Sequence, residues 1–296
     1  MVFGFEIIVF FTILSLVASV VNGGLGYGYS SISIPLAILV LINRIVNPAY
    51  VLLEAIMNTV MLAFSGRQNI SATYSRTVPM MISVVPGVII GSLILSYIAP
   101  LSVRFLVYVV ILPLILLQAG GFRKPISKEA RAGVPLGVGV GLLYSVTTIS
   151  GPPIALFWNN QGLAKGEFKA TVAQIRVVES YFTAILYYSL GLFTATSISL
   201  FTIIAPPVLV GVPLGMILVR KVMVETFRRV CMSFDAWIVG YGLSRTLIPI
   251  FGVTEAIAYF SWAIVIALDV VLLYRFFRNR IPMDRSLITK RTHSHG

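Results

Sequence analysis

Apolar residues fall into eleven runs, at roughly 4–21, 31–42, 48–64, 77–98, 103–119, 133–149, 152–159, 168–190, 197–219, 229–249 and 255–277. A helix needs about 20 apolar residues to cross a bilayer, and most of these runs are near that length. The runs 31–42 and 152–159 are too short to cross alone. Each follows a break rich in glycine, proline and hydroxyl residues. The first break is "NGGLGYGYSSISIP" (22–35) and the second is "TTISGPP" (147–153). The pattern predicts an all-α polytopic membrane protein in which two helices are interrupted.

Composition agrees. Of 296 residues, 58% are hydrophobic and 11% are Asp, Glu, Lys or Arg, with a mean hydropathy of +0.96. A soluble domain carries roughly 25% charged residues. The N-terminus lacks a basic leader region and reads as mature structure. The net charge of +12 is not a nucleic-acid signal, because the basic residues sit in short loops and the tail, as the positive-inside rule expects. A single cysteine, Cys231, leaves no internal disulfide or cysteine metal cluster. Both histidines, His293 and His295, lie in the tail. No metal and no cofactor is expected.

Loop charge sets the orientation. The tail after Phe277 carries Arg278, Arg280, Arg285, Lys290 and Arg291 and is expected in the cytoplasm. Counting back places 220–229 inside, 191–197 outside and 159–169 inside. The loop "GGFRKPISKEAR" (120–131) is basic and also belongs inside. Both ends of 132–158 then lie on one side, which requires a hairpin turning at the second break. Further counting puts 65–76 inside, 43–47 outside, with Arg44 a mild exception, and the N-terminus outside. The first break becomes a matching hairpin from the opposite face.

The halves also align. "SIPLAILV" (33–40) matches "GPPIALFW" (151–158), with Pro35 against Pro153 and Asn58 against Arg176. "GVIIG" (87–91) matches "GVPLG" (211–215). The expected organisation is a first repeat at 1–119, a cytoplasmic linker at 120–131, a second repeat at 132–250, a final helix at 251–277 and a basic tail at 278–296. Each repeat is a hairpin plus three spans, so the second is inverted relative to the first. Inverted repeats with interrupted helices mark a secondary transporter and its binding site.

Broken backbone survives at membrane depth only where protein or a watery cavity satisfies it. A helix starting there directs unpaired N–H groups and a positive dipole end toward a ligand, which suits an anion. Candidate substrate contacts are Gly24, Gly26, Tyr27, Tyr29, Ser30, Ser31 and Ser33 in the first break, and Thr147, Thr148, Ser150, Gly151 and Pro152 in the second. Asn58 and Arg176 join them from the following spans. Arg176 and Glu179 share a helical face at i, i+3. Arg176 either supplies charge to an anion or is neutralised by Glu179 or Asp235. Glu54, Glu179 and Asp235 are candidates for carrying a coupling proton. Glycine pairs at 87/91, 133/137 and 211/215 read as helix-packing faces.

At these residues the chain resembles the sulfite exporter TauE/SafE family of membrane permeases. The likeness rests on "GGLGYGYSSISIP", on "SGPPIALFW" and on "EFKAT" opening the next span. The resemblance implies export of small anions such as sulfite, sulfoacetate and related sulfonates. The residues themselves reach only to a small anion. Tyr27 and Tyr29 stand where the family often has further glycines.

The expected function is a secondary transporter of small anions in the cell membrane, working by alternating access between the two hairpin tips. An anion channel and a membrane scaffold are the alternatives. An intramembrane enzyme is not expected, for no His lies in a span, no H-E-x-x-H occurs and Asp235 has no near aspartate partner. No phosphate-binding loop is present for ATP. Moving one charge through 100 mV is worth about 2.3 kcal/mol, so an anion can leave a negative interior without a coupled ion. The expected partners are a small anion, the lipid bilayer and coupled protons, and no nucleic acid. Oligomeric state is left open.

Overall fold

The structure, a computed structural model, describes residues 3–120, 129–159, 161–221 and 224–278. Most of the linker and of the basic tail lies outside the described residues. Within them the chain forms eleven helices and no strand. These are α1 (Phe5–Leu25), α2 (Tyr29–Val40), α3 (Asn43–Phe64), α4 (Arg67–Tyr97), α5 (Pro100–Ala119), α6 (Glu129–Thr147), α7 (Gly151–Asn159), α8 (Lys165–Ser189), α9 (Ala195–Lys221), α10 (Val224–Phe251) and α11 (Glu255–Arg278). Five of them, α1, α3, α4, α9 and α11, are long and apolar enough to cross a membrane. Large apolar side chains are left exposed along them, among them Phe5, Phe64, Ile82, Leu209 and Phe260. In water such a surface would associate, whereas lipid accommodates it. The chain is a multi-pass membrane protein.

Two parallel helix pairs frame the core. In α4 and α6, residues advance together: Met80 neighbours Gly137, Val84 neighbours Gly141 and Ser145 neighbours Gly91. In α1 and α9, Ser19 neighbours Gly211 and Val20 neighbours Gly215. Glycine permits both approaches. A Cβ at Gly87 would run into the Val138 carbonyl oxygen, and one at Gly211 into the Ser19 hydroxyl. Small residues let membrane helices approach through van der Waals packing, where no hydrophobic drive between helices exists. The expected packing role of these glycines is what the structure shows.

Helix limits differ from the sequence reading at the first break. Asn22, Gly23 and Gly24 are helical and belong to α1, and the break is confined to residues 26–28. Gly23 is there for packing, since a side chain would strike the Val212 carbonyl. Only Gly26 (φ 85°) and Gly28 (φ 109°) need left-handed backbone. Ser30, Ser31 and Ser33 therefore lie within α2 and not before it. Pro35 sits in the helix interior as well, and having no N–H it cannot pair with the Ser31 carbonyl one turn back.

Charges outside the centre are accounted for locally. Arg44 donates to the carbonyls of Leu95 (3.3 Å), Ser96 (2.5 Å) and Ile98 (3.3 Å) at the end of α4. A cation is favoured there by the helix dipole and the unpaired carbonyls. Arg76 and Glu129 join α4 to α6 through two contacts, at 3.0 and 2.7 Å. The Arg76 guanidinium also lies over the ring of Trp158, 5.8 Å from its centroid. Trp158 is buried, not an interface aromatic. Arg229 bonds Asp269 at 2.8 Å between α10 and α11, so Asp269 is a buried partner and not an exposed anchor.

The packing argument predicts that Gly87→Leu destabilises the protein by about 1–3 kcal/mol through overpacking. Gly139→Leu, whose Cβ meets nothing within 4 Å, should leave the melting temperature in detergent unchanged.

Candidate functional site

The two breaks meet. A Cβ on Gly151 would lie 3.2 Å from Cδ2 of Tyr27 and 3.7 Å from Oγ of Ser31. Thus the start of α7 abuts the break between α1 and α2. Thr147 shapes the second break. Its hydroxyl donates to the Leu143 carbonyl (2.7 Å) and accepts from the Ile149 N–H (3.0 Å). Thr148 follows in left-handed backbone at φ 59°, an uncommon conformation for a β-branched residue. Pro152 and Pro153 occupy the first turn of α7, where a missing N–H removes no helical bond.

The end of α6 is buried, and its last carbonyls need donors. Asn47 of α3 donates to the Val146 carbonyl at 2.6 Å. The Tyr187 hydroxyl of α8 donates to the Ser145 carbonyl. Two side chains from neighbouring helices therefore do what water does at an exposed helix end.

Helices α3 and α8 cross beside this junction and bring the charges in. Glu54 and Arg176 each lie eleven residues past the first residue of their helices, Asn43 and Lys165. At 1.5 Å per residue this is about 16 Å from the helix start, near half-way along both. Arg176 Nη2 is 2.6 Å from Glu54 Oε1 and 3.4 Å from Ser30 Oγ. Ser150, just before α7, donates to Glu179 Oε2 at 2.5 Å. Glu54, Arg176 and Glu179 are all buried, exposed by 0%, 1% and 0%. Tyr29, Tyr50 and Tyr144 surround Glu54 closely enough to interact electrostatically with it.

This cluster retains unused hydrogen-bonding capacity. Arg176 Nε and Nη1, Glu54 Oε2, Glu179 Oε1, Ser31 Oγ, Thr148 Oγ1 and Asn58 Nδ2 have no protein partner. Buried polar groups are almost always paired, so a concentration of exceptions calls for a ligand or a function. Several of the exceptions are donors, as an anion requires.

The remaining sequence-predicted residues lie around this cluster with their own contacts. Ser33 is committed to the Tyr29 carbonyl at 2.5 Å. The Tyr29 hydroxyl pairs with Ser15 at 2.9 Å. Tyr27 packs edge-on against Phe168, Gly26 lies against the Lys169 stem, and Gly24 closes on Gly215 of α9. Gly151 and Pro152 form the start of α7. Asn58 lies one turn beyond Glu54. No ion pair among the described residues joins Asp235 of α10 to Arg176. It is Glu54, not Glu179 or Asp235, that pairs with Arg176. Tyr50 and Tyr144 were missed, because tyrosine at helical spacing within an apolar run reads as core. A cleft of about 680 Å³ between α3, α8 and α9 lies outside the cluster. It is lined mostly by apolar residues such as Ile56, Val60, Leu209 and Pro213, together with Ser65, Asn69 and Lys169.

Each partner of the central pair buries the other's charge. Removing one strands an uncompensated ion, at about 3–5 kcal/mol. Glu54→Gln and Arg176→Gln should each lower the melting temperature, while the double variant should recover most of the loss. Additive losses in the double variant would show that the two charges do not depend on each other.

Comparison with known proteins places this geometry. The family model for the sulfite exporter TauE/SafE matches residues 11–243. No curated protein and no solved structure matches the chain. The match covers most of the sequence and includes both breaks, Glu54, Arg176 and Glu179. The chain belongs to the TauE/SafE sulfite exporter family, a family of membrane transporters and not of enzymes.

Proposed function

We propose that this anion permease of the sulfite-exporter type moves sulfite, sulfoacetate or another small organosulfonate through the junction of its two breaks. The observation that carries the reading is the buried Arg176, held by one contact to Glu54 and bordered by Ser30, with Glu179 one turn along α8 bonded to Ser150 just before α7. The arginine supplies the charge and its planar fork suits a multi-oxygen anion. Unused donors on Arg176, Ser31, Thr148 and Asn58 supply further contacts. The substrate-binding set is thus Ser30, Ser31, Asn58, Thr148, Ser150, Gly151 and Arg176, with Glu54 and Glu179 as the acidic members. Asp235 has no role in it.

The scaffold in this reading is two inverted repeats, 1–119 and 132–250, joined by a cytoplasmic linker and followed by a final helix at 251–277. Support comes from the parallel packing of α4 with α6 and of α1 with α9, and from the matching positions of Glu54 and Arg176 in α3 and α8. One repeat rocks against the other to open the site to each side in turn. The N-terminus lies outside and the tail in the cytoplasm.

The test is flux of labelled sulfite and sulfoacetate into proteoliposomes. The wild type should transport them, and the Glu54→Gln/Arg176→Gln variant should fold and transport neither. Unchanged flux in that variant would move the site elsewhere. Topology is checked separately, with single cysteines at positions 125 and 161 in a Cys231→Ser background. Both should react with an impermeant maleimide only from the cytoplasmic side. Labelling from opposite sides would refute the second hairpin.

A further inference from the structure

We infer that Glu54 is a tethered stand-in for the transported anion, holding Arg176 while the site is empty and taking up one proton when an anion displaces it. The inference rests on the reading of the Arg176 cluster as the transport site.

The geometry of the pair supports the exchange. Glu54 engages Arg176 through one oxygen and one nitrogen, at 2.6 Å, and the same nitrogen also reaches Ser30. Nε and Nη1 of Arg176 and Oε2 of Glu54 have no protein partner. The Arg76–Glu129 pair shows the alternative, with two oxygens facing two nitrogens at 3.0 and 2.7 Å. The buried Arg229–Asp269 pair also meets through one nitrogen and one carboxylate oxygen, so what sets Arg176 apart is its place beside Ser30 of α2, one turn from Glu179 and its contact to Ser150. At Arg176 most of the fork is left for another ligand, and Glu54 occupies only one edge.

Charge counting requires the proton. The groups facing Glu54 are Arg176 and Glu179 from α8, Tyr29 and Ser30 from α2, Tyr144 from α6 and Tyr50 from its own helix. Arg176 is the one cation in this set. An anion arriving on Arg176 would share it with the buried Glu54 carboxylate. Coulomb repulsion and desolvation both oppose that state. Once separated from Arg176, Glu54 has no cation beside it. A buried carboxylate in such surroundings binds a proton in preference to remaining charged.

The consequence is electrical. The empty site holds Arg176 as a cation and Glu54 as an anion. The loaded site holds Arg176, the bound monoanion and neutral Glu54. Both carry the same net charge, so both cross between the two access states at the same electrical cost. One proton travels with each monoanion, and the membrane potential does no net work. The count closes for a monoanion such as hydrogensulfite or an alkylsulfonate.

The test uses methanesulfonate, which stays ionised across the working pH range, on the purified wild-type protein. Calorimetry in two buffers of different ionisation enthalpy should show one proton taken up per anion bound. Affinity should weaken by about tenfold per pH unit on the alkaline side, as one-proton linkage requires. Glu54→Gln should bind with no proton uptake and no such pH dependence, and Asp235→Asn, outside the site, should keep both. Wild-type binding without proton uptake would overturn this inference and leave the transport site standing. Uptake lost in Glu179→Gln but kept in Glu54→Gln would overturn the assignment to Glu54. Absence of binding by both methanesulfonate and sulfite would overturn the site, and the inference with it.

Discussion

Three ionisable side chains buried among apolar helices are the constraint on which the centre of this protein depends. At an effective dielectric constant of 20, an ion pair at about 4 Å gains about 4 kcal/mol. Removing each ion from water costs several kcal/mol. Glu54 and Arg176, at 2.6 Å, therefore do not repay their own burial by a useful margin, and Glu179 adds a second carboxylate with only Ser150 donating to it. Apolar residues of similar volume would make a more stable core. The arrangement is understandable as a site at which charge is exchanged, and the surrounding helices are organised to hold it.

Two features let the surrounding structure do so. Glycine contacts bring α4 onto α6 and α1 onto α9 at close range, which makes a closely packed frame with little need of polar groups. Inside that frame the backbone is interrupted twice, and each interruption is supplied with partners. Asn47 and Tyr187 cover the last carbonyls of α6. The Gly26 N–H bonds back to the Asn22 carbonyl at the end of α1. These breaks cost little because their hydrogen bonds are satisfied, and they free the first turns of α2 and α7 to face Arg176 and Glu179.

Much of this was legible in the sequence. Two runs too short to span, each after a glycine- or proline-rich break, locate the junction correctly. Arg176 stands out because a cation within an apolar span must face something polar. What was illegible was partner choice. Pro35 lies six residues into α2, whereas Pro153 lies in the first turn of α7, a difference that the shared proline does not reveal. The contact of Arg176 with Glu54 joins helices 122 residues apart, which spacing along the chain cannot show. The hydroxyl contacts were also illegible. Ser33 and Thr147 donate to backbone carbonyls in the structure, a use that spacing cannot distinguish from ligand binding.

The same balance of charges bears on release. A lone arginine at the start of two helices, shielded from water, would hold an anion too firmly for rapid turnover. Conduction and transport need binding strong enough for entry and weak enough for exit. In the proposed cycle, the carboxylate within 2.6 Å of the guanidinium competes for it and returns to it as the anion leaves. On that proposal Glu54 lowers affinity by occupying the empty state, while the unused part of the Arg176 fork favours a multi-oxygen ligand. Burying a costly pair and weakening the grip on substrate are one physical choice, because the energy that would stabilise the empty site is what the incoming anion must replace.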